Sequence, residues 1–326
     1  MKAPTFWFFA RPTPAARALR PLSALYGALA ARRMARPGQR VAARVVAIGN
    51  FVAGGAGKTP TARALARLLQ ADGAHVAFLS RGYGGRVGAG PARATGADAS
   101  LFGDEPLLLA ESAPTYVGAD RVGAARRAIA EGADALVLDD GLQSRRIEPD
   151  LAIAVVDGAS GVGNGLCLPA GPLRAPLAAQ LAHVDALIVI GAGAAGEAVA
   201  AAAQPKPVFR ARLAPHDSAR ALCGRKTVAV AGIGRPEKFF ATLAGIGADV
   251  VARHAFADHH AYTGADIAPI ARAAAEAGAV LATTEKDAVR WPADAPRPFV
   301  VRVDLAFDDP AAVRDFVAAH TAPRAD

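Results

Sequence analysis

The chain is poor in cysteine, in aromatic residues and, over its first 44 positions, in negative charge. Cys167 and Cys223 are the only two cysteines, far apart and outside any CxxC pair. This excludes a disulfide framework or a structural zinc site and fits a reducing compartment, with both cysteines read as small core residues. Residues 1–44 carry no Asp or Glu but hold nine of the 37 Lys and Arg, which leaves 28 basic against 29 acidic residues beyond them. The net charge of +8 therefore belongs to one segment, and a general nucleic-acid-binding surface is excluded. Long apolar runs are missing from that segment too. Its longest uncharged stretch, Pro21 to Ala31, has 11 residues, against the roughly 20 needed to cross a bilayer. It also lacks the basic start, clean apolar centre and cleavage site of a signal peptide. No sequence repeat of 20–50 residues is apparent.

What the N-terminal segment does contain is Phe6-Trp7-Phe8-Phe9, then Leu19, Leu22, Tyr26 and Leu29 at helical spacing. Residues 1–40 read as an amphipathic helix lying in a membrane interface, with Arg side chains facing anionic lipid. The competing reading packs the same stripe onto the protein's own body.

From residue 45 the pattern alternates apolar strand and amphipathic helix, the mark of an α/β protein with a mainly parallel sheet. Strands are expected at 45–48, 76–79, 136–138, 151–156 and 186–190, then again at 227–231, 249–251, 280–283 and 299–303. The pattern predicts a P-loop domain over 41–207 and a second, smaller α/β domain over 208–326. Gly232-Ile233-Gly234 lacks the third glycine of a dinucleotide fingerprint, and Glu237 stands at that position, so a nicotinamide site is rejected there.

Gly54-Gly55-Ala56-Gly57-Lys58-Thr59 lies between the first strand and the first helix. Glycines let backbone N–H groups turn around phosphate oxygens, and the helix that follows presents its positive end. Lys58 can reach the β- and γ-phosphates, and the Thr59 hydroxyl can ligate Mg²⁺. Val52 occupies the place of the usual first glycine, followed by Ala53. The strand 136–138 ends in Asp139-Asp140, carboxylates suited to assist the metal. Asp104-Glu105 in one half and Asp258-His259-His260 in the other concentrate polar groups in an Ala-rich chain. A carboxylate bonded to a histidine can act as general base toward an alcohol. Arg81, within Ser80-Arg81-Gly82-Tyr83-Gly84, can contact phosphate.

Together these segments resemble the tetraacyldisaccharide 4′-kinase (lipid A 4′-kinase) family. The resemblance runs through Pro21–Gly27, Ile48-Gly49-Asn50, Gly54–Pro60, Ser80–Gly84, Gly103–Pro106, Asp139–Gln143, Pro169–Arg174, Asp258-His259-His260 and Thr284–Ala288, in the family's order. It implies transfer of the ATP γ-phosphoryl group to the 4′-hydroxyl of a tetraacyl glucosamine disaccharide 1-phosphate, giving the bis-phosphorylated lipid A precursor. On this resemblance Asp104 and His259 form the base pair. Lys58 and Thr59 hold phosphate and Mg²⁺ within a loop running from Val52 to Thr59. Asp139 assists the metal, Asp140 the transferred charge, and Arg81, Tyr83, Gln143 and Arg174 line the site. It also implies an enzyme on the cytoplasmic face of the bacterial inner membrane, with the second domain closing over the cleft. Two departures stand out: Leu142 and Ser144 replace an aromatic residue and a His, and Ala175 replaces a Glu. The alternatives are a membrane-recruited P-loop switch ATPase and a P-loop kinase of a soluble small molecule.

Overall fold

The computed structural model describes residues 4–9, 11–82, 84–88, 90–96 and 98–321. In chain order the strands are β1 (Arg44–Asn50), β2 (Val76–Ser80), β3 (Ala92–Arg93), β4 (Thr115–Val117), β5 (Ala135–Asp139), β6 (Leu151–Asp157) and β7 (Ala186–Ile190). There follow β8 (Val208–Pro215), β9 (Lys226–Ala231), β10 (Asp249–Ala255), β11 (Val280–Thr284), β12 (Phe299–Val301) and β13 (Val303–Phe307). They build a nine-stranded sheet, ordered β13-β8-β7-β6-β1-β5-β2-β4-β3, and a four-stranded sheet, β10-β9-β11-β12. The large sheet is parallel except at its two edges, where β3 and β13 run antiparallel to their neighbours.

Both faces of the large sheet are covered, which is why its central strands read as unbroken apolar runs. Successive side chains point to opposite faces. Accordingly Val45 and Ala47 join one core with Leu136, Leu138 and Leu187, while Val46 and Ile48 join the other with Leu65, Phe78 and Ile153. The small sheet is parallel throughout and also has a core on each face, one around Phe239, Phe240 and Leu243, the other around Ile267 and Tyr262.

The expected division at 208 does not separate the sheets. Residues 208–215 pair with β7 and β13 in the large sheet, and the chain enters the small sheet only at Lys226. It returns within the strand expected at 299–303, which splits at Arg302: Phe299–Val301 stays in the small sheet and Val303–Phe307 crosses to the large one. The C-terminal helix Pro310–His320 then buries Val313 and Val317 in the large core, with Phe316 against Phe209. Alternating apolar residues mark a strand but not its partner, and pairing across 90 positions is a tertiary decision.

The segment Arg20–Met34 is a helix. The face it turns to the body carries Ser23, Gly27 and, at its end, Met34: Ser23 Oγ donates to the Cys167 carbonyl at 2.7 Å, and a Cβ on Gly27 would come within 3.1 Å of Cys167 Sγ. Leu22, Leu25 and Leu29 are 59, 61 and 57% exposed, and Tyr26, Phe8 and Phe9 are exposed with them. The apolar stripe faces away from the body. No helix of the described residues is long and apolar enough to cross a membrane.

Candidate active site

The loop between β1 and the helix Lys58–Ala71 sits at the carboxyl end of the large sheet. Gly54 and Gly57 take φ of +117° and +89°, a region open to glycine and strained for other residues. A Cβ on Gly57 would also lie 2.6 Å from Ile190 Cδ1. Pro60 occupies the helix's first turn, where no N–H is required. Asn50, at the end of β1, braces the loop by donating from Nδ2 to the Gly54 carbonyl at 2.9 Å and accepting from Lys58 Nζ at 3.3 Å.

Val52 and Ala53 behave differently from the residues after them. The Ala53 N–H donates to the Pro172 carbonyl at 2.8 Å, and the Val52 carbonyl accepts from Arg174 Nε at 3.0 Å. These two residues fasten the start of the loop to the segment 172–174. The Ala53 N–H is thereby engaged within the chain.

Asp139 and Asp140 end β5 beside Lys58. Lys58 Nζ lies 3.6 Å from Asp140 Oδ1, and Arg174 donates to Asp140 Oδ2 at 2.7 Å. Burial pushes the Asp140 carboxyl up, but Lys58 and Arg174 outweigh it and hold the group below the usual carboxylate range. Asp139 has less help. Burial first, then the nearby Glu105 carboxylate, push it up to about 7, and its Oδ1 is buried without a partner among the described residues. A buried carboxylate oxygen lacking a donor, close enough to Lys58 and Asp140 to feel their charges, suits a hard divalent cation. The donor set therefore fits Mg²⁺.

Gln143 donates from Nε2 to the Asn50 carbonyl and to Gln180 Oε1, both at 2.8 Å, and so ties the Asp-Asp turn to β1. Arg81 is exposed just after β2; Tyr83 lies outside the described residues. At the departures, Leu142 is buried against Gly49, Ser144 is exposed and Ala175 is fully buried.

The second half of the site opens the helix Asp104–Ala110. His259 Nδ1 meets Asp104 Oδ2 at 2.9 Å, although the two residues belong to different lobes. This bond raises the His259 pKa above its ordinary value against the effect of burial. His259 takes φ of +58°, and its N–H donates to the carbonyl of Gly232. The turn that resembled half a dinucleotide fingerprint thus holds the histidine. His260 points elsewhere, to Asp266 at 3.2 Å and against Phe256 and Tyr262. Glu105 connects this half to the loop: burial pushes its carboxyl up, Lys286 and Lys58 outweigh burial and hold it below its ordinary value, and its charge helps raise the pKa of Asp139.

The P-loop lysine with its two carboxylates and the Asp–His pair joined across the two lobes are linked through Glu105, which Lys58 and Asp140 act on and which acts on Asp139. The family model for tetraacyldisaccharide-1-P 4′-kinase matches residues 15–322. The chain belongs to this family. It is 55% identical to the tetraacyldisaccharide 4′-kinase of Methylobacterium radiotolerans, over 96% of this chain and 97% of that one. It is 48% identical to that of Rhodopseudomonas palustris, over 97% and 95%. A solved structure, described as the "apo" form of LpxK from Aquifex aeolicus in complex with ATP, superposes with a TM-score of 0.75 at 23% identity, covering 94% of this chain and 99% of that one. At that identity the likeness speaks for the fold.

As a member of the tetraacyldisaccharide 4′-kinase family the chain is a kinase, and several residues of its cleft escaped sequence reasoning. Asn50 was visible only as part of Ile48-Gly49-Asn50. Arg121 is buried and donates to the carbonyls of Leu79 and Asp139 at 2.6 and 3.1 Å, joining the ends of β2 and β5. Arg63 and Glu285 pair across the lobes at 2.8 Å, as do Lys286 and Glu105 at 2.9 Å. The run Thr284-Glu285-Lys286-Asp287 was the signal for the last two, since three charges after an apolar strand need partners.

Proposed function

We propose that this chain transfers the γ-phosphoryl group of ATP to the 4′-hydroxyl of a tetraacyl glucosamine disaccharide 1-phosphate, working from the cytoplasmic face of the bacterial inner membrane. The Asp104–His259 pair carries the reading, because a switch ATPase has no use for a hydroxyl-activating base assembled from two lobes.

In this reading the N–H groups from Gly54 to Thr59 and the Lys58 ammonium bind the phosphates. Thr59 and Asp139 would hold Mg²⁺, which supplies charge neutralisation on the transferred group when bound. Asp140, steadied by Arg174, fixes Lys58 within reach. Arg81, Gln143 and Arg174 line the approach of the acceptor. Asp104 takes the proton of the 4′-hydroxyl, and His259 stabilises or shares it. Seating the small lobe completes the pair and excludes water, limiting ATP hydrolysis. The exposed stripe of Leu22, Leu25, Tyr26 and Leu29, with Phe8, Phe9 and the surrounding Arg side chains, supports peripheral contact with an anionic membrane. That contact argues against a soluble small-molecule acceptor.

The deciding assay incubates the full chain with γ-labelled ATP, Mg²⁺ and the tetraacyl disaccharide 1-phosphate in detergent. Labelled bis-phosphorylated lipid is expected. Hydrolysis of ATP without labelled lipid would return the chain to the switch ATPase reading.

A further inference from the structure

Arg290 lies in the turn after Glu285–Ala288, and its side chain is only 7% exposed. It bridges the two lobes. Nε lies 3.2 Å from Asp104 Oδ2 in the large lobe, while one terminal nitrogen donates to Asp287 Oδ1 at 2.7 Å and to the Gly232 carbonyl at 3.3 Å. Asp287 is itself fully buried and locked, accepting from the Gly232 N–H, the Tyr262 hydroxyl and the Thr284 hydroxyl. The guanidinium is therefore oriented from behind by a rigid acceptor. The same Gly232 carbonyl that orients Arg290 also receives the His259 N–H.

His259 Nδ1, hydrogen-bonded at 2.9 Å, and the Arg290 guanidinium, in ion-pair contact through Nε at 3.2 Å, converge on Oδ2 of Asp104. The Arg290 Nε–H itself donates to the Lys286 carbonyl at 3.3 Å. Neither of the contacts on Asp104 falls on Oδ1. A carboxylate held at one oxygen by a hydrogen bond and by a buried cation is restrained from presenting either oxygen at random.

We propose that Arg290 is the positioning residue for Asp104 in the phosphoryl transfer: it aims the carboxylate and makes its alignment conditional on the small lobe being seated. The proposal rests on the kinase reading above. Arg290 acts through Asp104 and touches no substrate.

The test uses the lipid phosphorylation assay with full-length protein, wild type first. Wild type that fails to label the lipid refutes the kinase reading, and this inference falls with it. With active wild type, Arg290→Met is expected to lower kcat about 10- to 100-fold, the range for one hydrogen bond to a charged group, with the KM for ATP little changed. Arg290→Lys keeps the charge but not the two-sided bridge and should recover only part of the rate. The decisive measurement combines the change with Asp104→Ala. If Arg290 works through Asp104, Arg290→Met should lower the residual rate of Asp104→Ala by less than about twofold. An equal fractional loss in both backgrounds, or full activity in Arg290→Met, would overturn the proposal. Should Arg290→Met melt below the assay temperature, Arg290→Lys and its double variant with Asp104→Ala give the same comparison.

Discussion

His259 Nδ1 and Asp104 Oδ2 stand 2.9 Å apart although 155 positions separate them in the chain. Asp104 is fixed at the start of a helix packed on the large sheet, and His259 on a strained turn of the small lobe. Replacing either with Ala should reduce phosphoryl transfer by about 10²–10⁴, the usual contribution of a general base, while nucleotide binding persists. Steady-state kinetics and nucleotide titration on each variant check this; near-wild-type kcat in both removes the pair from the chemistry.

The same bond sets a pH dependence. The pKa of His259 is raised above 6.5 by Asp104, so at lower pH the pair already carries the proton it needs to accept. The kcat/KM for lipid should climb as pH rises, with a midpoint above 6.5 that belongs to the pair as a whole. In His259→Gln that limb should vanish from the profile, and its persistence would assign it to another group.

The burial of Asp139 costs stability. Its pKa is raised to about 7 by burial, so the stability tied to its neutral form is fully present below the ordinary value of about 3.9 and is lost as pH rises through about 7. Asp139→Asn should therefore melt at least about 2 °C above wild type at pH 8 without Mg²⁺, with the gap closing toward pH 5. Phosphoryl transfer should fall sharply in the same variant. Thermal scans across pH decide it, and an Asn variant less stable at pH 8 would contradict the burial argument.

Two ion pairs of similar length should differ widely in worth. Arg63 and Glu285 are each only 10% exposed and join the lobes at 2.8 Å. Removing Glu285 leaves a buried guanidinium unpaired, a loss of about 3–5 kcal/mol. Arg210–Glu197 is short as well but about half exposed, and Glu197→Ala should cost at most about 1 kcal/mol. Urea unfolding of both variants gives the comparison, and equal losses would mean the inter-lobe pair is solvated.

The N-terminal helix offers a cleaner membrane test than truncation. Deleting residues 1–36 would uncover the segment around Cys167, against which Ser23 and Gly27 pack. Changing Leu22, Leu25 and Leu29 together to Ser alters only exposed positions. Each Leu contributes up to about 1.5–3 kcal/mol on full burial, so sedimentation with anionic vesicles should weaken at least about tenfold, and wild-type binding should weaken in high salt. Unchanged sedimentation would leave the stripe without a role in adsorption.

Local patterns were legible wherever chemistry and periodicity coincide. Gly57 and Lys58 announce a phosphate loop because only glycine tolerates that backbone, and the runs 45–48 and 151–156 announce central strands because both their faces are buried. That Val52 and Ala53 fasten the loop was not legible, since the Ala53 N–H donates to the Pro172 carbonyl and the Val52 carbonyl accepts from Arg174, more than 100 positions away. The division at 208 was misjudged for the same reason: nothing within Val208–Pro215 states that its neighbours are β7 and β13.

By itself, then, the sequence determined the phosphate loop, the two carboxylates after β5, the alternation of strands and helices and an N-terminal stripe too short to span a bilayer, because each depends on neighbours within a few residues. The tertiary structure alone decided that Asp104, His259 and Arg290 share one carboxylate oxygen, that the stripe faces outward because Ser23 and Gly27 face inward, and that the chain re-enters the large sheet at Val303. Those are contacts between segments whose separation along the chain carries no information about their separation in space.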